Sequence, residues 1–381
     1  MKKKALIFIV ILCAAILLLF LGIRDRAQKE GDEKTIQVGA ILPLTGAAAP
    51  YGESAQKGIL LAVDLFNKKY SDSALVATVV FENSKGDVKE GLIASNTLRA
   101  KGINVIVGPM LSGVAMAVAN KKEDDTLYIF PTATTPNLRG FSPYIYRTCV
   151  SDDAEGGTVA NYYLNQKKAT DSVGILHINN EYGLGLANAF NKTILSHGEE
   201  VVGMESYNAS SLNYRDVITK VLQGDPSYIF LVGQKEQPKI IQQLREVGYA
   251  GIILGTTMFE DGAVFEIPES EGAIFSSRVL NNGEISGAAH PFFKEFSERY
   301  GGNANYYAAT AFDAATVALE TERVHRLNKI SLTEAIRQID VKEGATGCLI
   351  FDEKNDVLQD FAVKIIKSKN DQPIIYSGKG D

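Results

Sequence analysis

Only three cysteines occur in 381 residues, and one of them, Cys13, lies inside an N-terminal apolar run. Cys149 and Cys348 are left for the body, too few for a disulfide scaffold. A single bridge between them is the alternative in an oxidising compartment; two partly buried thiols are the expectation. The four histidines, His177, His197, His290 and His325, are scattered without metal-ligand spacing, so no metal site is expected. His177 falls at the end of a candidate strand and reads as a packed or solvated residue. Neither a G-x-S-x-G elbow nor a P-loop occurs. YGLGLANA has two glycines at dinucleotide spacing, but Asn188 stands where the third glycine or alanine should be, so it reads as a tight strand-to-helix turn. Asp152 and Asp153 are adjacent, which does not support an acid–base pair; one of them is expected to cap the following helix. An enzyme is therefore not expected, and neither is a cofactor. A basic stripe is missing too. The net charge is −6, and the first 34 residues hold seven Lys/Arg against four Asp/Glu, so the remainder is more acidic still. That excludes nucleic acid as the natural partner.

What is present begins with MKKKALIFIVILCAAILLLFLGIRDR. Three lysines precede an uncharged apolar run, residues 5–23, in the charge order of an export signal and long enough to span a bilayer. Its exit, FLGIRDR, lacks the small residues of a cleavage site, and Cys13 sits mid-run after Leu12, which does not suit a lipoprotein signal. The expectation is an uncleaved membrane anchor, with a cleaved signal as the alternative. The lysines hold the N-terminus in the cytoplasm, the body lies outside, and residues 24–34 form a tether. A chain of this length, 45% hydrophobic, suits two domains with separate cores.

From Ile36 onward, β-type runs alternate with amphipathic stretches. Ile36–Leu42, Leu75–Phe81, Val105–Val107 and Tyr128–Phe130 read as strands, with helices over Glu53–Lys69 and Lys89–Lys101. In the first helix Ala55, Ile59, Ala62, Val63 and Phe66 share one face. After SPYIYRTCVSDD the alternation resumes. Helices are expected over Ala154–Lys167, Leu184–Leu195, Tyr214–Leu222 and Pro238–Val247, and strands over Val173–Ile178, Glu200–Ser206, Tyr228–Val232 and Ile252–Leu254. Pro291–Tyr300, Tyr306–Arg326 and Leu332–Ile339 read as helices, and GCLIFDEKNDVLQDFAVKII as two strands around a turn containing Asn355 and Asp356. Repeated βα units with apolar strands predict an α/β fold of two doubly wound, Rossmann-like lobes.

Two of the runs, INVIVGPMLS and LYIFPTATTP, stop abruptly at small and hydroxylated residues. Ligands of open parallel sheets bind beyond the carboxyl ends of the strands. Ser112 stands at one such end, and Thr132, Thr134 and Thr135 at another. A helix opening at Ser112 adds free N–H groups and a partial positive charge, which suit a carboxylate. The plainer alternative is that Ser112 is an N-cap and TATTP a turn.

Several segments taken in order carry a resemblance. IQVGAILPLTGAAAPYGESAQKGILLAVDLFN, GPMLSGVAMAVA, PTATTPNL, YIYRTCVSDDAEG, HINNEYGLGLANAF and ATGCLIFDEKND resemble the type I periplasmic binding proteins, in their leucine/isoleucine/valine-binding branch. The resemblance runs from about residue 36 to near the C-terminus. It implies two α/β lobes joined by three crossover strands, with the ligand in the cleft between them. One lobe would take 36–148 with about 278–343, and the other 149–277 with about 344–381. It also implies an extracytoplasmic receptor that passes a small carboxylate ligand to the permease subunits of an ABC importer; a sensory receptor acting through a separate membrane partner is the alternative.

By the same resemblance, Ser112 and Thr134 would take the ligand carboxylate, while the Thr132 carbonyl and the Thr134 hydroxyl would take an ammonium. Tyr51, Asp152 and Tyr182 would complete the site. Two positions depart from the pattern: Gln234 stands where a tyrosine is expected, and Thr257 falls nearest an expected acid, with Glu260 and Asp261 a few residues late. Either one of those two acids bends into the cleft, or the ligand carries no ammonium there. The second is the expectation.

Overall fold

In a computed structural model the described residues are 35–73, 75–121, 125–261, 263–278, 290–357, 361–366 and 374–376. The anchor and tether expected over residues 1–34 lie outside them. Among the described residues no helix is long and apolar enough to cross a membrane.

The first layer is built from β1 (Thr35–Leu42), α1 (Ala49–Lys69), β2 (Val76–Asn83), α2 (Val88–Ala100), β3 (Val105–Val107), α3 (Ser112–Lys121), β4 (Leu127–Phe130) and β5 (Ile145–Arg147). Its five strands pair in parallel in the order β2-β1-β3-β4-β5. Side chains on a strand alternate between faces, and two cores result. Val38, Ala40, Val105, Val107, Leu127 and Ile129 enter one core; Ile41, Ile106, Tyr128 and Phe130 enter the other. Both faces are covered, which is why these strands read as unbroken apolar runs. β5 lies within the stretch that the sequence reading took only as a separator.

The second layer follows with α4 (Asp152–Gln166), β6 (Val173–Ile178), α5 (Glu181–Ser196), β7 (Gly203–Tyr207), α6 (Arg215–Leu222), β8 (Tyr228–Val232), α7 (Gln237–Glu246), β9 (Ile252–Gly255) and β10 (Ile274–Arg278). The chain then returns to the first layer as α8 (Pro291–Tyr300), α9 (Tyr306–Asn328) and α10 (Leu332–Gln338). It continues through the short pair β11 (Glu343–Gly344) and β12 (Gly347–Cys348), and ends as β13 (Phe361–Ile365) and β14 (Ile374–Tyr376) on the second sheet. That sheet has the order β14-β13-β10-β9-β8-β6-β7, antiparallel only at β13 and β14. Two lobes with parallel sheets and helical covers result.

Of the two strands expected around a turn in residues 347–366, the turn at Asn355 and Asp356 is present, but the strands pair elsewhere. Phe351 bridges Val357 across a turn in which Asn355 has φ 65°, while β13 pairs with β10 and β14. The reason is a buried ion pair. Arg147, fully buried, donates Nε to Asp356 Oδ1 at 2.7 Å and Nη2 to Oδ2, and residue 147 also bridges residue 356 through the backbone. Asp356 is thereby held against the first lobe. Ala345, Leu349 and Val357 pack into the first lobe's core.

Helix starts also differ from expectation where a cap lies upstream of the apolar periodicity. α5 opens three residues early, because the Asn180 side chain accepts from Gly183 N. α4 is capped by Ser151, not by either aspartate; Asp152 is its first residue. β7 begins at Gly203, three residues after the expected Glu200.

α9 carries the fully buried Asp313, whose carboxylate accepts from Ala345 N, Thr346 N and Thr346 Oγ1. Burial outweighs those bonds and pushes its pKa from 3.8 up to about 6. The folded chain therefore binds a proton more readily than the unfolded chain, and this group's contribution to stability falls as pH rises through that window. Asp313→Asn is expected to flatten the fall, read as urea midpoints at pH 5 and pH 7. An unchanged pH slope would contradict the assignment.

Candidate functional site

The GPMLS turn leaves β3 at Gly108. Its φ is 85°, and a Cβ there would fall 2.3 Å from the Ile41 carbonyl oxygen, so the turn needs glycine. The turn delivers Ser112, buried, as the first residue of α3. The neighbouring loop leaves β4 and is tied to it, since Thr132 Oγ1 donates to the Met110 carbonyl at 2.9 Å. Arg147 holds the same loop from beneath, donating Nη1 to the carbonyls of Thr135 (2.8 Å) and Ala133 (3.3 Å). The two loops singled out from the sequence are thus adjacent and rigidly joined.

Thr134 turns its carbonyl to the Asp152 amide, 2.9 Å. Its hydroxyl is buried and has no well-aligned hydrogen-bond partner among the described residues. Both carboxyl oxygens of Asp152 share that condition in a fully buried side chain. Burial pushes the Asp152 carboxyl well above its ordinary range; the nearby Thr134 hydroxyl and Arg147 pull it down, while Glu155 and Asp153 raise it. The second lobe packs closely here, since a Cβ at Gly185 would fall 2.8 Å from Asp152 Oδ2.

Around this centre the other expected residues take distinct places. Tyr51, on α1, packs its ring 4.5 Å from that of Tyr307, with Lys235 Nζ 5.2 Å over its face. Lys235 also donates to the Ala47 carbonyl at 3.2 Å, bridging the two lobes. Tyr307 OH reaches Met258 Sδ at 3.5 Å, a second contact between lobes. Tyr182 is half-buried, its hydroxyl 3.3 Å from Thr256 Oγ1. Gln234 is half-buried in a turn whose amide donates to Glu236 Oε1. Thr257 is buried, and its amide donates to Glu155 Oε1 at 2.6 Å.

Glu155, Glu181, Lys235, Met258 and Tyr307 were not read from the sequence as part of this region. Glu155 had a signal: it lies three residues after Asp152 on one helix face. It also accepts from Ser276 Oγ at 2.7 Å, so it braces the end of β9 against β10. Glu260 does not bend toward the loops of the first lobe. Its carboxylate accepts from Ser277 Oγ and, at 3.0 Å, from Lys364 Nζ. The Asp261 side chain lies outside the description.

The remaining candidates have structural roles. His177 is buried, its Nδ1 3.1 Å from the Ile178 carbonyl and its pKa lowered by burial. Cys149 is buried and Cys348 half-buried, with no disulfide between them. YGLGLANA forms the opening of α5, where a Cβ at Gly183 would fall 2.0 Å from the Ile178 carbonyl oxygen. Among the described residues no group of three or more His, Cys, Asp or Glu is placed to hold a metal.

The chain is similar to known proteins in sequence and fold. Leu/Ile/Val-binding protein homolog 3 of Brucella melitensis is 30% identical over 224 residues, 58% of this chain and 60% of that protein. The match therefore spans less than two thirds of that relative. The leucine-, isoleucine-, valine-, threonine- and alanine-binding protein of Pseudomonas aeruginosa is 26% identical over 338 residues, 86% of this chain and 89% of the relative. The fold matches the substrate-binding protein LivJ of Streptococcus pneumoniae, solved with isoleucine, at a TM-score of 0.74 and 24% identity, covering 90% and 99% of the two chains. The family model described as periplasmic binding protein matches residues 35–370, and the chain belongs to that family.

Proposed function

We propose that this chain is an extracytoplasmic solute-binding receptor. It captures a small carboxylate ligand, an amino acid, between its lobes and presents it to the permease of an ABC importer. Ser112, Thr134 and the N-terminus of α3 would take the carboxylate. The Thr132 carbonyl, the Thr134 hydroxyl and Asp152 would take the ammonium, with Tyr51, Tyr182, Gln234 and Thr257 around the rest of the ligand. Relatives named for binding leucine, isoleucine and valine support the class. In this reading the lobes comprise 36–148 with about 278–343 and the packed segment to Val357, and 149–277 with the C-terminal strands. Residues 5–23 anchor the body to the outer face of the membrane.

One observation carries the reading: the buried Thr134 hydroxyl and Asp152 carboxyl lie side by side, interact with each other, and make no well-aligned hydrogen bond to a third group among the described residues. Buried polar groups usually fill their hydrogen-bonding capacity, so a pair that meets only itself beyond the strand ends supports a ligand position there. It also changes the expectation about the ligand. With Glu260 bonded to Ser277 and Lys364, Asp152 is the acid beside Thr134 that would meet an ammonium, since an unpaired buried charge is costly.

The pH dependence tests this. Asp152 holds its proton well above the usual carboxylate range, and pairing with an ammonium requires that the proton leave. Leucine affinity should therefore rise with pH until the Asp152 pKa is passed, then level. The deaminated 2-oxo analogue should show no such rise, and Asp152→Asn should weaken leucine binding by about tenfold or more. Calorimetry across pH 5.5 to 8.5 reads all three. Equal binding of leucine and its 2-oxo analogue, flat with pH, would return the ligand to a carboxylate without an amino group.

A further inference from the structure

The loop that carries Thr134 is bonded across the lobes at one point more. Glu181, the first residue of α5, accepts at Oε1 from Thr135 Oγ1 (3.0 Å) and from Asn137 Nδ2 (2.8 Å). Thr135 is fully buried, and Leu138 at the end of its loop belongs to the first lobe's core. α5 packs in the core of the second. Gly113, next to Ser112, also faces this residue: a Cβ there would lie 3.9 Å from Glu181 Cβ.

We infer that Glu181 is a positioning residue that locks the Thr134 loop when the lobes close. The inference rests on the ligand-cleft reading above. Thr135 is gripped on its carbonyl by Arg147, from β5 of the same lobe, and on its hydroxyl by Glu181, from the opposite lobe. The first grip is present whether the lobes are apart or together; the second exists only when they meet. A carboxylate accepting from a buried hydroxyl makes a charge-assisted bond, stronger than a neutral one. The acid also sits in the first turn of a helix, where negative charge is favoured. When the lobes separate, donors and acceptor return to water. Closure is thus coupled to the orientation of the residue beside Thr134, and a ligand held by Thr134 favours the closed state through Glu181 as well as through its own contacts.

The test uses the full chain in detergent, with leucine as the probe and three forms: wild type, Glu181→Ala and Glu181→Gln. Glutamine keeps an acceptor oxygen in place, so it should restore most of what alanine removes. In Glu181→Ala, hydrogen exchange over residues 132–138 should quicken, most of all with leucine bound, leucine affinity should fall about tenfold through faster release, and the melting temperature should hold. Exchange and release equal to wild type would overturn the inference. So would quickening in alanine and glutamine forms alike with a lowered melting temperature, because that is a structural defect. If wild type fails to bind leucine while exchange still quickens in the alanine form alone, the lock stands and the ligand assignment is what fails.

Discussion

Replacing Arg147 with methionine is expected to cost about 3–5 kcal/mol of stability, because it leaves the buried Asp356 with only a 3.5 Å contact to the exposed Arg139. The pair is fully enclosed and bidentate, and the same guanidinium holds two carbonyls of the Thr134 loop. Asp356→Leu should cost a similar amount, and the double replacement less than the two singles together, because no buried charge is then stranded and Arg139 keeps Asp352. Urea denaturation of each form measures this. A single replacement that shifts stability by less than about 1 kcal/mol would place the pair among ordinary surface bridges.

Ser112→Ala and Thr134→Ala should leave the fold unchanged by circular dichroism and each weaken leucine binding about 10- to 150-fold, the worth of one hydrogen bond to a charged group. The effect of Thr134→Ala should be the larger, since in the proposed arrangement its hydroxyl serves both the carboxylate and the ammonium. Normal binding by both variants would reduce the two residues to a helix start and a turn.

Much of this arrangement was legible in the sequence, for identifiable reasons. Strands covered on both faces must be apolar throughout, so Val105–Val107 and Tyr228–Val232 announced themselves. The two loops proposed for the site could be singled out because ligands of open parallel sheets gather where strands end, and the structure places them side by side. What stayed hidden depends on distant pairing. β5 has three residues and no periodicity of its own. β13 looked like half of a local hairpin, but its partner β10 lies about 90 residues earlier. The acceptor for Thr135 is 46 residues away, so no spacing rule points to Glu181. Helix starts were misplaced where a cap such as Asn180 or Ser151 precedes the first apolar residue, because caps act on backbone amides and leave no mark on hydrophobic pattern.

The return of the chain to each sheet sets the order in which the molecule is assembled. The first lobe lacks α9, the buried helix behind β1 and β3, until residue 328 has been made. The second lacks β13 and β14 until residue 376. Contacts this remote in sequence form slowly, since the intervening loop must close before they reward it. A nascent chain of this design emerges from the ribosome with both cores open: the first lobe cannot seal before the segment to Val357 is made, nor the second before the last strand. A polypeptide that must thread a narrow translocation channel gains from that delay: tight folding comes only after the whole length is available on the far side.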